Sequence, residues 1–184
     1  MLARPDERKL YMSAVDIHRM TRAATPKALF GYDVVDDLGQ GAGSAIYAVS
    51  DRATHQIYAL KHVVRKTEKD GRFIEQLENE FAVSKSFAHP ALRKSIDLRV
   101  NKTWLGKATE AVLGMELFDG LPMDVMPPKG VAEALVVFIQ ASQGLEALHA
   151  AGYVHCDLKP NNILIGPGGA VKVSTSGRRA RWGR

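Results

Sequence analysis

Between Phe30 and Glu116 the chain is built from short β-rich runs around one helical stretch, and after Pro128 a long helical pattern takes over. Residues 32–38 read as an exposed strand, Gly39-Gln40-Gly41-Ala42-Gly43-Ser44 as a glycine turn, and residues 45–49 as a second strand, together a hairpin. A polar turn at 51–54 leads into a third strand, 56–64. Residues 72–88 have helical spacing, with Phe73, Leu77, Phe81 and Ser84 on one stripe and Ile74 and Glu80 beside it. His89-Pro90 closes that helix, because the residue before a proline avoids the helical region. Strands are expected at 95–100 and 111–116, and a short helix at 14–23. The breakers Asp119-Gly120-Leu121-Pro122 and Pro127-Pro128-Lys129-Gly130 mark a boundary. A helix follows at 131–150, then two short strands, 163–165 and 170–173, around Gly166-Pro167-Gly168-Gly169.

Composition bounds the function more than the fold. The 184 residues suit one domain or slightly more, and 46% hydrophobic with 24% charged residues is ordinary globular usage. The net charge is +5, but Arg178, Arg179, Arg181 and Arg184 all lie in the last eight residues, and without them it is +1. The basic balance therefore belongs to the tail, and no nucleic-acid partner is expected. The single cysteine, Cys156, excludes an intrachain disulfide and suits a reducing compartment. The strongly apolar run 134–139 is too short to span a bilayer, so no membrane segment is expected. Residues 1–12 lack the apolar core of a secretory signal. A soluble, cytoplasmic protein is the expectation.

Candidate chemistry concentrates in His155-Cys156-Asp157-Leu158-Lys159-Pro160-Asn161-Asn162-Ile163-Leu164. Phosphoryl transfer needs positioning and charge neutralisation, and a short loop carrying a carboxylate, a cation and a carboxamide supplies both. Upstream, Gly39 and Gly41 sit between two strands, where glycine lets a backbone approach phosphates closely. Lys61 arrives twenty-two residues after Gly39, on a following strand from which a lysine can reach nucleotide phosphates. Glu80 is the favoured partner for Lys61, with Glu75 and Glu78 as competitors on the same helix. His155 and His149 read as structural residues.

Taken in order, LGQGAGSAIYAV, YALKHV, NEFAVSKSFAHPAL, LGMELFDG and HCDLKPNNILI resemble the eukaryotic-type serine/threonine protein kinases, including their bacterial members, over about residues 30–173. The resemblance implies an α+β, two-lobe fold: an N-terminal extension (1–28), a β-rich N-lobe and hinge (29–120), a partial helical C-lobe (121–173) and a basic tail outside the family pattern (174–184). It implies ATP and Mg2+ as cofactors and a protein hydroxyl as substrate. Asp157 would be the base, Lys159 the cation over the transferred phosphate, and Asn162 the magnesium ligand. Leu38, Gly39, Gln40, Gly41, Ala42, Gly43, Ser44, Ile46, Ala59, Lys61 and Glu80 would line the ATP site. Met115 would be the gatekeeper residue, with the backbone from Glu116 to Phe118 pairing with adenine. Cys156 stands where many of these kinases carry an arginine that pairs with a phosphorylated activation loop, and its presence resembles those that lack this switch.

The pattern breaks in three places. Ser44 replaces the third glycine of the turn, a minor change. Thirteen residues after Asn162, where the family places Asp-Phe-Gly, stands Thr175-Ser176-Gly177, so the main magnesium carboxylate is missing. The chain ends at Arg184, and the expectation is a truncated C-lobe that is inactive or holds nucleotide weakly, as a pseudokinase-like binding fragment would. Leu135, Val136, Val137, Phe138, Ile139, Leu145 and Leu148 make helix 131–150 apolar on several sides, as though other elements were to bury it.

Overall fold

The computed structural model describes residues 25–41, 43–86 and 88–175 and the backbone of 178–179. The expected helix at 14–23, Ala42 of the glycine turn and most of the tail lie outside these residues. Six strands form one antiparallel sheet in the order β1-β2-β3-β4-β6-β5: β1 (Ala28–Leu29), β2 (Tyr32–Gly41), β3 (Ser44–Asp51), β4 (Ile57–Val64), β5 (Ser95–Lys102) and β6 (Ala108–Glu116). Helix α1 (Gly71–Lys85) packs on one face of this sheet. Helix α2 (Val131–Ala150) carries the second lobe, with a small sheet of β7 (Leu121–Pro122), β9 (Ile163–Ile165) and β10 (Val171–Val173). A two-stranded piece joins β8 (Tyr153–Val154) to β11 (Arg178–Arg179).

The two-residue period of β4 and β6 divides the first lobe into two cores. Ala59, Val63, Ala111, Leu113 and Met115 face α1 and meet its Ile74 and Leu77. Tyr47, Val49, Leu60 and Val112 point to the opposite side, where Tyr32 closes the cluster. Lys61 shares parity with Ala59 and Val63, so the strand itself turns Lys61 toward α1.

Three expectations are corrected. The turn 39–44 is tighter than its six residues suggest, because Gly39, Gln40 and Gly41 continue β2 and pair with Ile46, Ala45 and Ser44. Helix α1 ends at Lys85 rather than 88. Its buried stripe is Ile74, Leu77, Glu80, Val83 and Ser84, while Phe73 and Phe81 are only half-buried at its flank. Phe73 has a different task, since any Cβ at Gly43 would collide with its ring, and Gly43 is at φ +76°. The glycine at the hairpin tip is thus required by both backbone and space.

The lobes are stitched along a main-chain seam. Leu92 bridges Val173 in parallel, Val173 N–H donates to Ala91 O at 2.7 Å, and Arg93 N–H donates to Val173 O at 2.8 Å. Glu116 adds to it, donating its N–H to Lys94 O at 2.9 Å and pairing its carboxylate with Lys172 Nζ at 2.7 Å. Val83 and Leu92 share a core with Val137, Ala141, Leu148, Ile163, Ile165, Val171 and Val173. Helix α2 is long and apolar enough to cross a membrane by length and composition alone, yet Val137, Ala141, Gly144 and Leu148 are buried against this core. Its other side leaves Leu135, Phe138 and Ile139 exposed, lining an open depression with Ser142, Gln143 and Glu146.

Candidate active site

Two clusters of polar side chains make up the site. The first is an ion pair behind the glycine hairpin. Lys61 Nζ lies 2.8 Å from Glu80 Oε2, and the Glu80 side chain is only 3% exposed. Glu75 and Glu78, the competing candidates, are exposed on the other side of α1. Lys61 sits in register between Ile46 of β3 and Leu113 of β6. Ala59, fully buried, and Met115 lie one pleat toward the end of β6. Leu38, on the outer strand of the hairpin, is exposed.

Where β6 ends, the chain runs through Glu116, Leu117 and Phe118 to the second lobe. The main-chain N–H of Phe118 takes no part in main-chain pairing among the described residues. Gly120 and Gly166 make room for the Phe118 ring, which would strike a Cβ at either position.

The second cluster is the loop between β8 and β9. Asn162 Nδ2 donates to Asp157 O at 2.6 Å and to Asp157 Oδ2 at 3.0 Å, and Lys159 Nζ stands 3.2 Å from the same carboxylate oxygen. Burial alone would push the Asp157 carboxyl up, but hydrogen bonds from Lys159 and Asn162 outweigh it and hold it below the usual carboxylate value. Asp157 is therefore ionised at neutral pH, as a proton acceptor must be. The exposed Cys156 adopts φ +57°, which turns the chain sharply between His155 and Asp157.

His155 braces this loop from beneath. It is buried, its Nε2–H donates to Ser174 O at 2.8 Å, and its Nδ1 accepts from the Asp157 N–H at 3.3 Å. Burial pushes its pKa below the ordinary histidine value, against the opposing pull of the Ser174 carbonyl and the Asp157 and Glu80 carboxylates. The unfolded chain thus binds this proton more readily than the folded one. The contribution of His155 to stability is complete above pH about 6.5 and is lost as pH falls below it toward the folded value. Chemical denaturation at pH 7.5 and 5.5 should show a drop for the parent protein that is reduced in His155→Gln. Equal drops would remove His155 as the cause.

The two clusters belong to lobes that share one core, in which Val83 of α1 packs with Ile163 and Val173. The connection runs through the seam: Ser174 N–H donates to Asn162 O at 3.0 Å, so the segment after β10 lies alongside the loop. Thr175, the next residue, is buried there with a neutral side chain. Sequence reasoning missed Arg93. Burial pulls its guanidinium pKa down, countered by the charges of Glu80 and Glu116, and its Nε reaches Glu116 O at a long 3.4 Å. A single arginine in a loop after His89-Pro90 carries no sequence signal for that position.

The donor sets fit a nucleotide better than a divalent cation. Backbone glycines, a lysine fixed by a buried glutamate, and an apolar floor at Ala59 and Met115 suit phosphates and a flat ring. A hard dication wants anionic oxygens. Beside Asn162 stands one carboxylate, Asp157, already engaged by an amide and an ammonium, and no cluster of three His, Cys, Asp or Glu side chains exists among the described residues.

Comparison with known sequences gives a family match. The protein kinase domain family matches residues 32–179, running six residues past β10. The CBL-interacting serine/threonine-protein kinase 9 of Arabidopsis thaliana is 29% identical over 162 residues, covering 86% of this chain and 36% of that protein. The serine/threonine-protein kinase PknA of Mycobacterium tuberculosis is 33% identical over 141 residues, 74% of this chain and 32% of that protein. The serine/threonine-protein kinase TIO of Arabidopsis thaliana is 31% identical over 148 residues, 79% of this chain and 11% of that protein. The chain thus spans about a third of the length of the first two of these relatives, and less of the third.

Proposed function

Because this chain belongs to the protein kinase family, with serine/threonine protein kinases as its relatives, we propose that it binds ATP between its lobes and directs the γ-phosphate toward a serine or threonine hydroxyl of a protein. Gly39 to Ser44 cover the phosphates, Lys61 and Glu80 orient them, and Ile46, Ala59 and Met115 border the base. The main chain from Glu116 to Phe118 pairs with adenine. Asp157 accepts the proton of the attacking hydroxyl while its oxygen bonds to the γ-phosphorus and the bond to the β-phosphate oxygen breaks, releasing ADP. Lys159 neutralises charge on the transferred group. The single cysteine suits a cytoplasmic setting for this reaction.

One observation carries the reading: a lysine held by a buried glutamate, Lys61 with Glu80 at 2.8 Å, stands in the first lobe, and an ionised Asp157 held by Asn162 and Lys159 stands in the second. A second reading, nucleotide binding without transfer, is favoured by Thr175, a buried and neutral residue directly after Ser174, whose N–H donates to Asn162 O. One assay separates them. The chain is incubated with γ-labelled ATP and a serine- and threonine-containing peptide library, beside Asp157→Asn. Label transfer that falls by about 100-fold or more in the variant, at the scale of general-base loss, supports the kinase. ATP binding without transfer supports the second reading, and no ATP binding refutes both.

A further inference from the structure

From the charge and donor set around Asn162 we infer that this chain binds ATP without needing a divalent cation. The inference rests on the ATP-site reading and specifies its ligand. In protein kinases two carboxylate- and amide-bearing positions, an aspartate and the catalytic-loop asparagine, hold the metal ions that offset the phosphate charge. Here the segment beside Asn162 offers Thr175, which is buried and neutral.

The remaining carboxylate is not at a dication's disposal. Asp157 Oδ2 already accepts from Asn162 Nδ2 at 3.0 Å and lies 3.2 Å from Lys159 Nζ. Glu80, buried on α1, is already paired with Lys61 at 2.8 Å. The four charged side chains of the site, Lys61, Lys159, Glu80 and Asp157, therefore sum to zero. One more carboxylate at 175 would make the sum negative, and a polyphosphate would then need a cation to enter. A neutral site that presents two ammonium groups does not repel the free nucleotide, and Lys159, about half exposed, can reach toward a phosphate while Asn162 keeps its bonds to Asp157. The half-buried Arg93 adds further positive charge that acts on Glu80.

The test is calorimetric titration of the full 184-residue chain with ATP, once in excess Mg2+ and once in EDTA. The two dissociation constants should agree within about threefold. In Thr175→Asp the restored carboxylate should make Mg2+ tighten ATP binding by about tenfold or more, the scale on which metal-site groups act, while Thr175→Asn should behave like the parent. A parent protein that binds ATP more than about tenfold tighter with Mg2+ overturns the inference, because a metal site must then exist. So does a folded Thr175→Asp that ignores Mg2+. Should that variant not fold, the parent titration decides alone. No ATP binding in either buffer sinks the ATP-site reading and this inference with it, whereas metal-dependent binding sinks only the inference.

Discussion

Replacing Lys61 with Met will lower the stability of the fold by about 3 kcal/mol, because it strands the Glu80 carboxylate, 3% exposed, without the ammonium that compensates it. The Lys61 side chain is itself 20% exposed, so much of the expected loss lies with its buried partner. Breaking a buried pair from one side is far more damaging than replacing both halves, since one charge is left desolvated. The half-buried Arg93 also carries a positive charge that acts on Glu80, which places the loss at the lower end of the usual 3–5 kcal/mol range. The double variant Lys61→Met/Glu80→Leu should recover most of the stability and none of the ATP binding. Urea denaturation measures the first and calorimetry the second. A loss below about 1 kcal/mol in the single variant, the scale of an exposed pair, would show that Glu80 is not buried as described.

Gly114→Ala will destabilise the first lobe by about 2 kcal/mol, a penalty typical of overpacking. Gly114 lies in β6 opposite Asp97 of β5, and an added Cβ would overlap Asp97 Oδ1. That carboxylate cannot turn aside freely. Its other oxygen accepts from Tyr32 Oη at 2.9 Å and from Arg99 Nε at 2.8 Å, and Arg99 also reaches Phe30 O and Tyr32 Oη. The same burial and hydrogen bond raise the Tyr32 pKa, so Tyr32 stays a neutral donor. If the overlap is the cause, the penalty will vanish in an Asp97→Ala background, where a methyl at 114 keeps only an ordinary contact with the main-chain nitrogen of residue 97 at 3.7 Å. Additive effects in that double-mutant cycle would place the cause elsewhere.

Much of this molecule could be read from the chain because its signals are local. The strands came from alternation, and the loop around Asp157 from a run of fixed spacing. The resemblance to kinases favours Glu80 over Glu75 and Glu78 through its spacing to His89-Pro90, and the fold separates them physically, since one stripe of α1 faces the sheet and, of the three, Glu80 lies on it. The unread parts depend on distant partners. Gly39 and Gly41 look like turn residues, yet pairing with Ile46 and Ser44 extends the strand through them. Phe73 and Phe81 have helical spacing with Leu77, but the sheet beneath α1 selects Ile74 and Val83 instead. β1, β7 and β8 are two residues each and become strands only through their neighbours. The Tyr32–Asp97–Arg99 cluster joins residues more than sixty apart and leaves no local trace.

The stitching of residues 91–93 to Val173 has a kinetic corollary. Hydrogen bonds at 2.7 and 2.8 Å on either side of one residue hold the halves in register there, so a swing about that line would disturb the fewest contacts. Displacement grows with distance from such an axle, so in a swing of this kind the hairpin tip at Gly43 would travel farther than the residues of the seam. Departure of a spent nucleotide would then be timed by how often the tip lifts, and a substitution that stiffens the hairpin would slow exchange without touching a single group that grips the phosphates.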